Sequence, residues 1–259
     1  MTGRPLLTRF DMGPAATAFC TTRHGGCSQG AYASMNINPY CGDSPEAVQA
    51  NRSLLAQELG LPASRILLPH QTHQTEMRLI GEEFFQLPPA VQTMILEGVD
   101  GIMTSLPGVC VGVSTADCVP LLFFDERHHA VAAVHAGWRG TVAHIAQKAL
   151  MAMNAFFGTK PKHVRVVIGP CISVDAFEVG DEVYQQFVAA SLPMDCIAVR
   201  HKKWHIDLPL CNRLQLEEMG VASAKITTAE VCTYSSAADY FSARRLGTQS
   251  GRIYSGIFL

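Results

Sequence analysis

Three short apolar runs, at residues 109–113, 119–124 and 130–134, follow one another in the middle of the chain. They are rich in β-branched residues and are bounded by glycine, proline or charged residues, which predicts buried strands. Cys118 lies in the polar step before the second run, and His135 directly follows the third. Because rigid scaffolds often present reactive groups where their strands end, the pattern indicates a functional site at these ends.

Helical periodicity alternates with the extended segments. A helix is predicted over residues 45–59, with Gly60 as its C-terminal stop. Apolar positions spaced by three and four residues predict a second, long helix that has Thr141 as its N-cap and closes at Gly158. The remaining predictions are helices at 179–190 and 212–219, extended segments at 15–22, 35–39, 99–103, 163–168 and 204–208, and a strand pair across 240–254.

The order of these elements predicts one α/β domain over residues 1–259, in which strands and helices interleave without a regular βαβ rhythm. No repeat, linker or low-complexity tract divides the chain. Residues 81–98 are irregular and contain two consecutive prolines, so we expect them to form an excursion or lid rather than part of the core.

Composition narrows the class of protein. A net charge of −2 argues against a general binder of nucleic acid or of anionic membranes. Nine cysteines form no C-x-x-C pair, no apolar run approaches about 18 residues, and we expect no signal peptide. We therefore expect a reduced, cytoplasmic protein, and nothing in the sequence indicates its oligomeric state.

Two imidazoles and a thiol form the principal chemical hypothesis. His73, Cys118 and His135 each follow an extended apolar segment. Such a trio suits a borderline-soft divalent ion such as zinc and leaves one tetrahedral position for a water that the metal acidifies. Without a metal, the same residues suit a cysteine nucleophile with a histidine base. Their spacing matches no compact zinc motif, so both readings stay open.

Basic residues near the same loops predict an anion site. Arg23 precedes a Gly-Gly turn, Arg139 stands where the long helix is expected to open, and Arg244 follows an aromatic segment near the C-terminus. Asp117, beside Cys118, is the nearest acid and a candidate proton donor. The G-x-G-x-x-G, P-loop, zinc-deaminase and G-x-S-x-G motifs are absent from the sequence.

The chain resembles the YfiH-type family, also called laccase-domain or multicopper polyphenol oxidoreductase-like proteins, over nearly its whole length. The most specific motifs are the segments TADC at 115–118 and HAGWRG at 135–140. The others occur in order along the chain, namely QTH at 71–73, VDG at 99–101, GPCI at 169–172, FEVG at 177–180, DL at 207–208, CT at 232–233 and FSARR at 241–245.

This resemblance implies an α/β fold with mixed sheets between helices and a zinc site whose ligands fall on His73, Cys118 and His135. It implies phosphorolysis of adenosine, inosine and 5′-methylthioadenosine, together with deamination of adenosine. Arg23 and Arg244 match family segments, and with Arg139 they are expected to hold phosphate. The chain departs from the family pattern at Thr72 and Gln74, neither of which is an expected ligand.

Three other functions remain open at this stage. Amide hydrolysis on cell-wall precursors would use Cys118 as nucleophile or ligand. Copper-dependent phenol oxidation would use the same trio, with copper in place of zinc, but a multicopper oxidase needs many further ligands. A metal-storage or redox-sensing module would use the nine thiols and show no turnover.

Overall fold

Residues 3–259 are described by a computed structural model, in which they form three β-sheets and eight α-helices, numbered here in chain order. The strands are β1 Leu7–Phe10, β2 Thr17–Thr21, β3 Ile66–Leu67, β4 Met77–Leu79, β5 Gly101–Thr104, β6 Cys110–Thr115, β7 Val119–Asp125, β8 Ala130–Ala136, β9 Val164–Ile168, β10 Glu178–Val179, β11 Ala198–Arg200, β12 Trp204–Ile206, β13 Ile226–Thr228 and β14 Ile253–Phe258. The helices are α1 Pro45–Leu59, α2 Pro89–Ile95, α3 Trp138–Val142, α4 Ile145–Phe157, α5 Asp181–Ala189, α6 Met194–Ile197, α7 Leu208–Glu218 and α8 Ala243–Leu246.

Two large mixed sheets form the centre of the fold. One has the strand order β13-β9-β7-β8-β5-β4 and the other the order β1-β2-β14-β6-β3. Most neighbouring strands are antiparallel, whereas the pairs β3–β6, β4–β5 and β9–β13 are parallel. A small third sheet has the order β10-β12-β11.

Strand β7 explains why the central runs are apolar at every position. Leu121 and Phe123 belong to the core cluster shared with α4 and α7, whereas Leu122 and Phe124 belong to the cluster shared with the β14 sheet. Because successive side chains of a strand point to opposite faces, a strand buried on both faces carries no polar alternation. The strands predicted at 109–113, 119–124 and 130–134 are confirmed, each within two residues.

Helix α1 covers the outer face of the β14 sheet through Leu55, which packs in a cluster with Phe19 and Tyr254. The layers are therefore helix, sheet, sheet and helices, which confirms the predicted α/β class with mixed sheets between helices. None of the helices in residues 3–259 is long and apolar enough to cross a membrane.

The predicted end of the long helix at Gly158 is confirmed, because Gly158 caps α4, but the predicted start at Thr141 is wrong, because the segment forms two helices. Thr141 lies inside α3, and the chain turns at His144, whose φ is +59°, before α4 begins. Side chains of α7 account for the break, because the amide nitrogens of Asn212 and Gln215 donate to the hydroxyl and the carbonyl of Thr141, each at 2.9 Å. Arg139 consequently lies in α3 and not at the start of α4.

The strand pair expected across 240–254 is also wrong. Its first half forms α8, capped by Ser242, whose hydroxyl accepts from the backbone N–H of Arg245, and only β14 is a strand. The extended segment expected at 35–39 is a loop in which the side chain of Asn38 accepts from the backbone N–H of Tyr40 at 2.6 Å. In both places, side-chain hydrogen bonds to the backbone replace sheet pairing.

Residues 81–98 are not an excursion outside the core. They contain a 3-10 helix, Glu82–Gln86, and α2, and they bury Phe84 and Leu96 in the cluster between the two large sheets. Glu97 then pairs with His70, so this segment ends against the loop that carries His73.

Candidate active site

The three sequence-predicted ligands meet at one point. One ligand atom from each of His73, Cys118 and His135 lies within 4.8 Å of the other two. His135 is buried, Cys118 is partly buried and His73 is exposed, so the group opens to solvent on one side. Among residues 3–259 this is the one such cluster of His, Cys, Asp or Glu side chains.

The β7–β8 hairpin brings two members of the cluster together. In its antiparallel register, Pro120 pairs with His135 and Val119 with Ala136. Cys118, one residue before β7, therefore lies beside the end of β8 that carries His135. The backbone turns at Asp117, whose φ is +91°, between β6 and β7.

The loop before β4 supplies the third member. The Gln71 side chain pairs with the backbone of Ser114 like a neighbouring strand, accepting from its N–H at 2.8 Å and donating to its carbonyl at 2.9 Å. This bond pair fixes the loop against the end of β6. His73 itself has a φ of +62°, which turns the chain within the loop.

Asp100 holds two of the ligands in place. Its carboxylate is fully buried and accepts from Nδ1 of His135 at 2.7 Å. It also accepts from the backbone N–H groups of Thr72, His73 and Gln74, at 3.2, 3.0 and 2.8 Å. With Nδ1 of His135 bonded to this carboxylate, Nε2 is the nitrogen free to bind a metal.

The charges of the group reinforce one another. Burial raises the pKa of the Cys118 thiol, but the charges and hydrogen bonds of His135 and His73 outweigh burial and lower that pKa to about 6. Burial lowers the pKa of His135, but Cys118 and Asp100 raise it to about 9. Burial also opposes ionisation of Asp100, whose pKa is nevertheless lowered by His135 and by the backbone donors. The arrangement therefore favours a thiolate, the form of cysteine that binds metals.

The space beside the ligands fits a metal ion. A Cβ atom on Gly137 would lie 3.1 Å from Cδ2 of His73, 3.2 Å from Sγ of Cys118 and 3.6 Å from Cε1 of His135. Glycine at this position therefore leaves open the space between the three ligands. The donor set of two imidazoles and one thiolate is one that zinc accepts.

Replacing Gly137 with alanine is expected to weaken zinc binding about tenfold, because its Cβ crowds the ligand atoms. Its φ of −67° is available to alanine, so backbone strain does not contribute. Zinc titration of the purified variant tests this, and Gly3→Ala, whose Cβ meets nothing closer than 3.6 Å, is the control. Equal affinity in both variants would contradict the steric role.

Replacing Asp100 with asparagine is expected to lower zinc affinity about tenfold to a hundredfold, because His135 and the ligand loop lose their common acceptor. The matched control is Asp125→Asn. Asp125 is as buried as Asp100 and likewise accepts from a histidine Nδ1, that of His128, and from nearby backbone N–H groups. It lies at the end of β7 that is farther from Cys118. Zinc affinity and urea midpoints are measured for both, and we expect both to be less stable but only Asp100→Asn to bind zinc poorly. A similar loss of zinc affinity in both variants would indicate that general destabilisation, and not the loss of the contacts of Asp100, causes the effect.

A cavity of about 320 Å³ adjoins the cluster. Its walls include all three ligands, the side chains of Tyr40 and His70, and the guanidinium-bearing Arg252. The rings of Tyr40 and His70 stack with their centroids 4.2 Å apart. Thr115 also lines the cavity, and its buried hydroxyl has no hydrogen-bond partner among the described residues.

Asp117 lies beside the cluster in sequence, but its carboxylate is used elsewhere. One oxygen accepts from the hydroxyl of Thr233 and the other from the backbone N–H of Arg244, each at 2.7 Å. It is not among the residues that line the cavity in the described part of the chain. The contacts tie the start of α8 and residue 233 to the turn before β7.

The three sequence-predicted arginines are not brought together at the cavity. The guanidinium of Arg23 donates to the carbonyls of Ala33 and Ala237, each at 2.8 Å. Arg139 is exposed and lies over the ring of Trp138. Arg244 donates to the carbonyl of Glu178 at 3.1 Å. Within residues 3–259, none of them lines the cavity.

Sequence reasoning missed Arg252 and Asp100. Arg252 lines the cavity, and its guanidinium donates to the carbonyls of Thr248, Ser250 and Gly251 at 2.8, 2.6 and 3.0 Å. No local pattern distinguishes it from the other arginines near the C-terminus. Asp100 had a usable signal, because it is a lone acidic residue within the extended segment predicted at 99–103 and belongs to the VDG motif.

Comparison with known proteins gives one consistent result. The sequence model of the family described as multi-copper polyphenol oxidoreductase laccase matches residues 17–259. A purine nucleoside phosphorylase of Bacteroides thetaiotaomicron is 46% identical over 244 residues, which cover 93% of this chain and 90% of that protein. Adenosine deaminase RL5, from an unknown prokaryotic organism, is 41% identical over 244 residues, which cover 93% of both chains.

A solved structure agrees with the sequence relatives. The crystal structure of YfiH from Bacillus licheniformis matches with a TM-score of 0.88 and 28% identity, over 94% of this chain and 92% of that one. The family expected from the motifs is thereby confirmed. The chain belongs to the YfiH family, described as multi-copper polyphenol oxidoreductase laccase.

Proposed function

We propose that this chain is a purine nucleoside phosphorylase that also deaminates adenosine, at a zinc site formed by His73, Cys118 and His135. Its substrates are adenosine, inosine and 5′-methylthioadenosine with phosphate, and phosphorolysis yields the free base and the ribose 1-phosphate. The observation that carries the proposal is the convergence of the three ligands on a cavity that also contains Arg252. The names of the two relatives support it.

The donor set supports zinc over copper oxidation chemistry. Three protein ligands are the number typical of catalytic zinc, which would supply Lewis-acid charge and an acidified water at the fourth position. A laccase-type oxidase needs further histidine clusters, and residues 3–259 contain a single cluster of three ligands. Copper bound in the same position is the alternative.

The cavity walls suit a nucleoside. The stacked rings of Tyr40 and His70 offer a flat aromatic surface for a purine, and Tyr40 is 41% exposed. The Nδ1 atom of His70 is 2.7 Å from a carboxylate oxygen of Glu97, which fixes the orientation of the ring.

Arg252 is the residue that we assign to phosphate. Its bonds to three backbone carbonyls hold the guanidinium rigidly while its charge lies in the cavity wall. A fixed guanidinium binds a phosphate oxygen without a large loss of side-chain entropy. Arg23 and Arg244 are bonded to carbonyls away from the cavity, so we assign them to loop structure.

Asp117 is assigned a positioning role in place of proton donation. Its two hydrogen bonds anchor Thr233 and the start of α8, and Ala243 of α8 is part of the cavity wall.

In phosphorolysis, an oxygen of the phosphate held by Arg252 forms a bond to the ribose C1′. The bond from C1′ to the purine nitrogen breaks, and the departing base takes up a proton.

The test is a product assay on the full chain combined with metal analysis. With inosine, we expect hypoxanthine and ribose 1-phosphate when phosphate is present and no hypoxanthine when it is omitted. With adenosine, we expect inosine and ammonia without phosphate. Absence of hypoxanthine under both conditions would make the proposed phosphorolysis wrong.

Two other functions are distinguished by the same protein preparation. Release of an amino acid from a nucleotide-linked muramyl substrate would indicate amide hydrolysis. Phenol oxidation that follows added copper and is lost on Cys118→Ala would indicate an oxidase, whereas activity that survives that substitution is adventitious.

A further inference from the structure

Two further cysteines lie next to residues that bond to Asp117, because Ile172 and Thr233, which follow them in sequence, both donate to that residue. Cys171 and Cys232 are partners in an isolated parallel β-bridge. The bridge is formed by the N–H of Cys171 with the carbonyl of Val231 at 3.4 Å and by the N–H of Thr233 with the carbonyl of Cys171 at 2.9 Å. Both cysteines are free thiols.

The bridge places the two thiols within reach of each other. Neighbouring strands lie about 4.8 Å apart, and residues directly opposite each other point to the same face. That separation is inside the range of about 4.4–6.8 Å between Cα atoms that a disulfide requires. The Cα separation of such a pair therefore meets the disulfide requirement, and its two Cβ atoms, about 4.5–5.5 Å apart, need to approach by about 1 Å.

The two thiols differ in access and in environment. Cys232 is partly exposed and lines a cleft of about 350 Å³, and its sulfur accepts from the N–H of Ser173 at 3.3 Å. Burial raises the pKa of Cys232, but the hydrogen bonds of Ser173 and Ser235 outweigh it and lower that pKa to about 7. Cys171 is 4% exposed, and burial raises its pKa well above the usual range. Cys232 is thus the reactive thiol and Cys171 the buried one.

The negative charge of the cleft favours a neutral oxidant over an anionic one. Asp175 and Glu230 line it together with Cys232. These carboxylates repel anionic disulfides such as oxidised glutathione, whereas a small neutral hydroperoxide meets no such barrier. Stabilised thiolates with access to solvent are the thiols that attack hydroperoxides.

We propose that Cys232 and Cys171 form a hydroperoxide-reactive thiol pair. The Cys232 thiolate attacks one peroxide oxygen, so that an S–O bond forms, the O–O bond breaks and the leaving oxygen takes a proton from solvent. Cys171 then loses its proton to solvent and attacks the Cys232 sulfur, so that the S–S bond forms and the oxygen on Cys232 leaves as water. The two thiols lose two electrons in total, and the hydroperoxide gains them.

The test is peptide mapping of the full chain after treatment with hydrogen peroxide at pH 7. We expect a reducible cross-link between the peptides of Cys171 and Cys232. In Cys171→Ser, Cys232 should stop at the sulfenic acid and be captured by dimedone. In Cys232→Ser, Cys171 should remain a thiol. The readout is thiol chemistry, so it does not depend on the proposed nucleoside activity.

Cys196 is the matched control, because it is exposed and has no bridged cysteine partner among the described residues. Cys196→Ser should form the same cross-link as the unchanged chain. The proposal is overturned if the unchanged chain gives no link between 171 and 232, or if either cysteine links to Cys118 instead. Mapping of the unchanged chain decides the question even if a serine variant does not fold.

Discussion

Replacing Cys118 with serine is expected to remove bound zinc and to lower phosphorolysis of inosine by about 100- to 1,000-fold. Structural zinc binding by four ligands is worth roughly 10–16 kcal/mol, so one ligand contributes roughly 2.5–4 kcal/mol. At about 1.4 kcal/mol for each factor of ten, its loss weakens zinc binding by roughly two to three orders of magnitude, and we expect turnover to fall with the zinc content. Serine keeps the size of the side chain but offers a hydroxyl that stays protonated near neutral pH and binds zinc poorly.

His73→Ala is expected to give the same result from a different part of the chain. His73 is exposed and lies on a loop, so its removal costs little stability, and a fall in zinc content then reports ligation. Cys196→Ser, on the exposed surface, is the control for the loss of a thiol. Zinc per chain and the rate of hypoxanthine release are measured together. Full zinc with lost turnover in Cys118→Ser would contradict ligation and indicate a nucleophilic Cys118.

Replacing Arg252 with glutamine is expected to lower kcat/KM for phosphate by about 10- to 150-fold, while deamination of adenosine falls much less. The reason is that a hydrogen bond to a charged group is worth about 1.5–3 kcal/mol, and only phosphorolysis uses an anionic co-substrate. Initial rates against phosphate concentration with inosine measure the first effect. Conversion of adenosine to inosine in phosphate-free buffer measures the second.

Two arginine variants serve as comparisons. Arg252→Lys keeps the positive charge but loses the planar fork, so we expect an intermediate rise in KM for phosphate. Arg139→Gln changes an exposed guanidinium that lies over Trp138 and outside the cavity wall, and we expect no change. An effect in Arg139→Gln without one in Arg252→Gln would assign phosphate to Arg139. Equal losses of both reactions in Arg252→Gln would indicate a structural role.

The central strands were predictable because their burial on both faces requires a continuous run of apolar residues in the sequence. β7 and β8 are buried along their whole length, so nearly every position is apolar and the run itself marks the strand. α1 was predictable from local signals too, since Ser44 caps it and Gly60 ends it with a φ of +66°. Elements that have an apolar run or a capping residue within their own segment were therefore predicted well.

The wrong predictions concern segments whose backbone conformation depends on hydrogen bonds to residues far away in sequence. The break between α3 and α4 involves hydrogen bonds from α7 to Thr141, about 70 residues along the chain. α8 forms where a strand was expected, and the backbone N–H of Arg244, its second residue, donates to Asp117, which is far away in sequence. The α7 side chains and Asp117 lie outside the short stretch of sequence from which periodicity is judged. Periodicity alone therefore assigns both segments wrongly.

The residues of the candidate site also include some that could be predicted from the sequence and some that could not. The residue types of His73, Cys118 and His135 predict a candidate ligand set, because few side chains bind a borderline-soft divalent ion, and the structure brings the three side chains together. Asp117 was chosen for its place beside Cys118, but its φ of +91° belongs to a turn that directs its carboxylate to Thr233 and Arg244. Adjacency in sequence does not decide which groups share a cavity.

The class of fold, the buried strands and the three candidate ligands could be inferred from composition and local pattern. The folded chain was needed to show that the three candidate ligands meet, that Asp100 joins two of them, and that Arg252 lines the cavity. These facts depend on the register of β7 with β8 and on loops brought together from separate parts of the chain. The free energy of packing two sheets and their helices sets that register, and no single segment contains it.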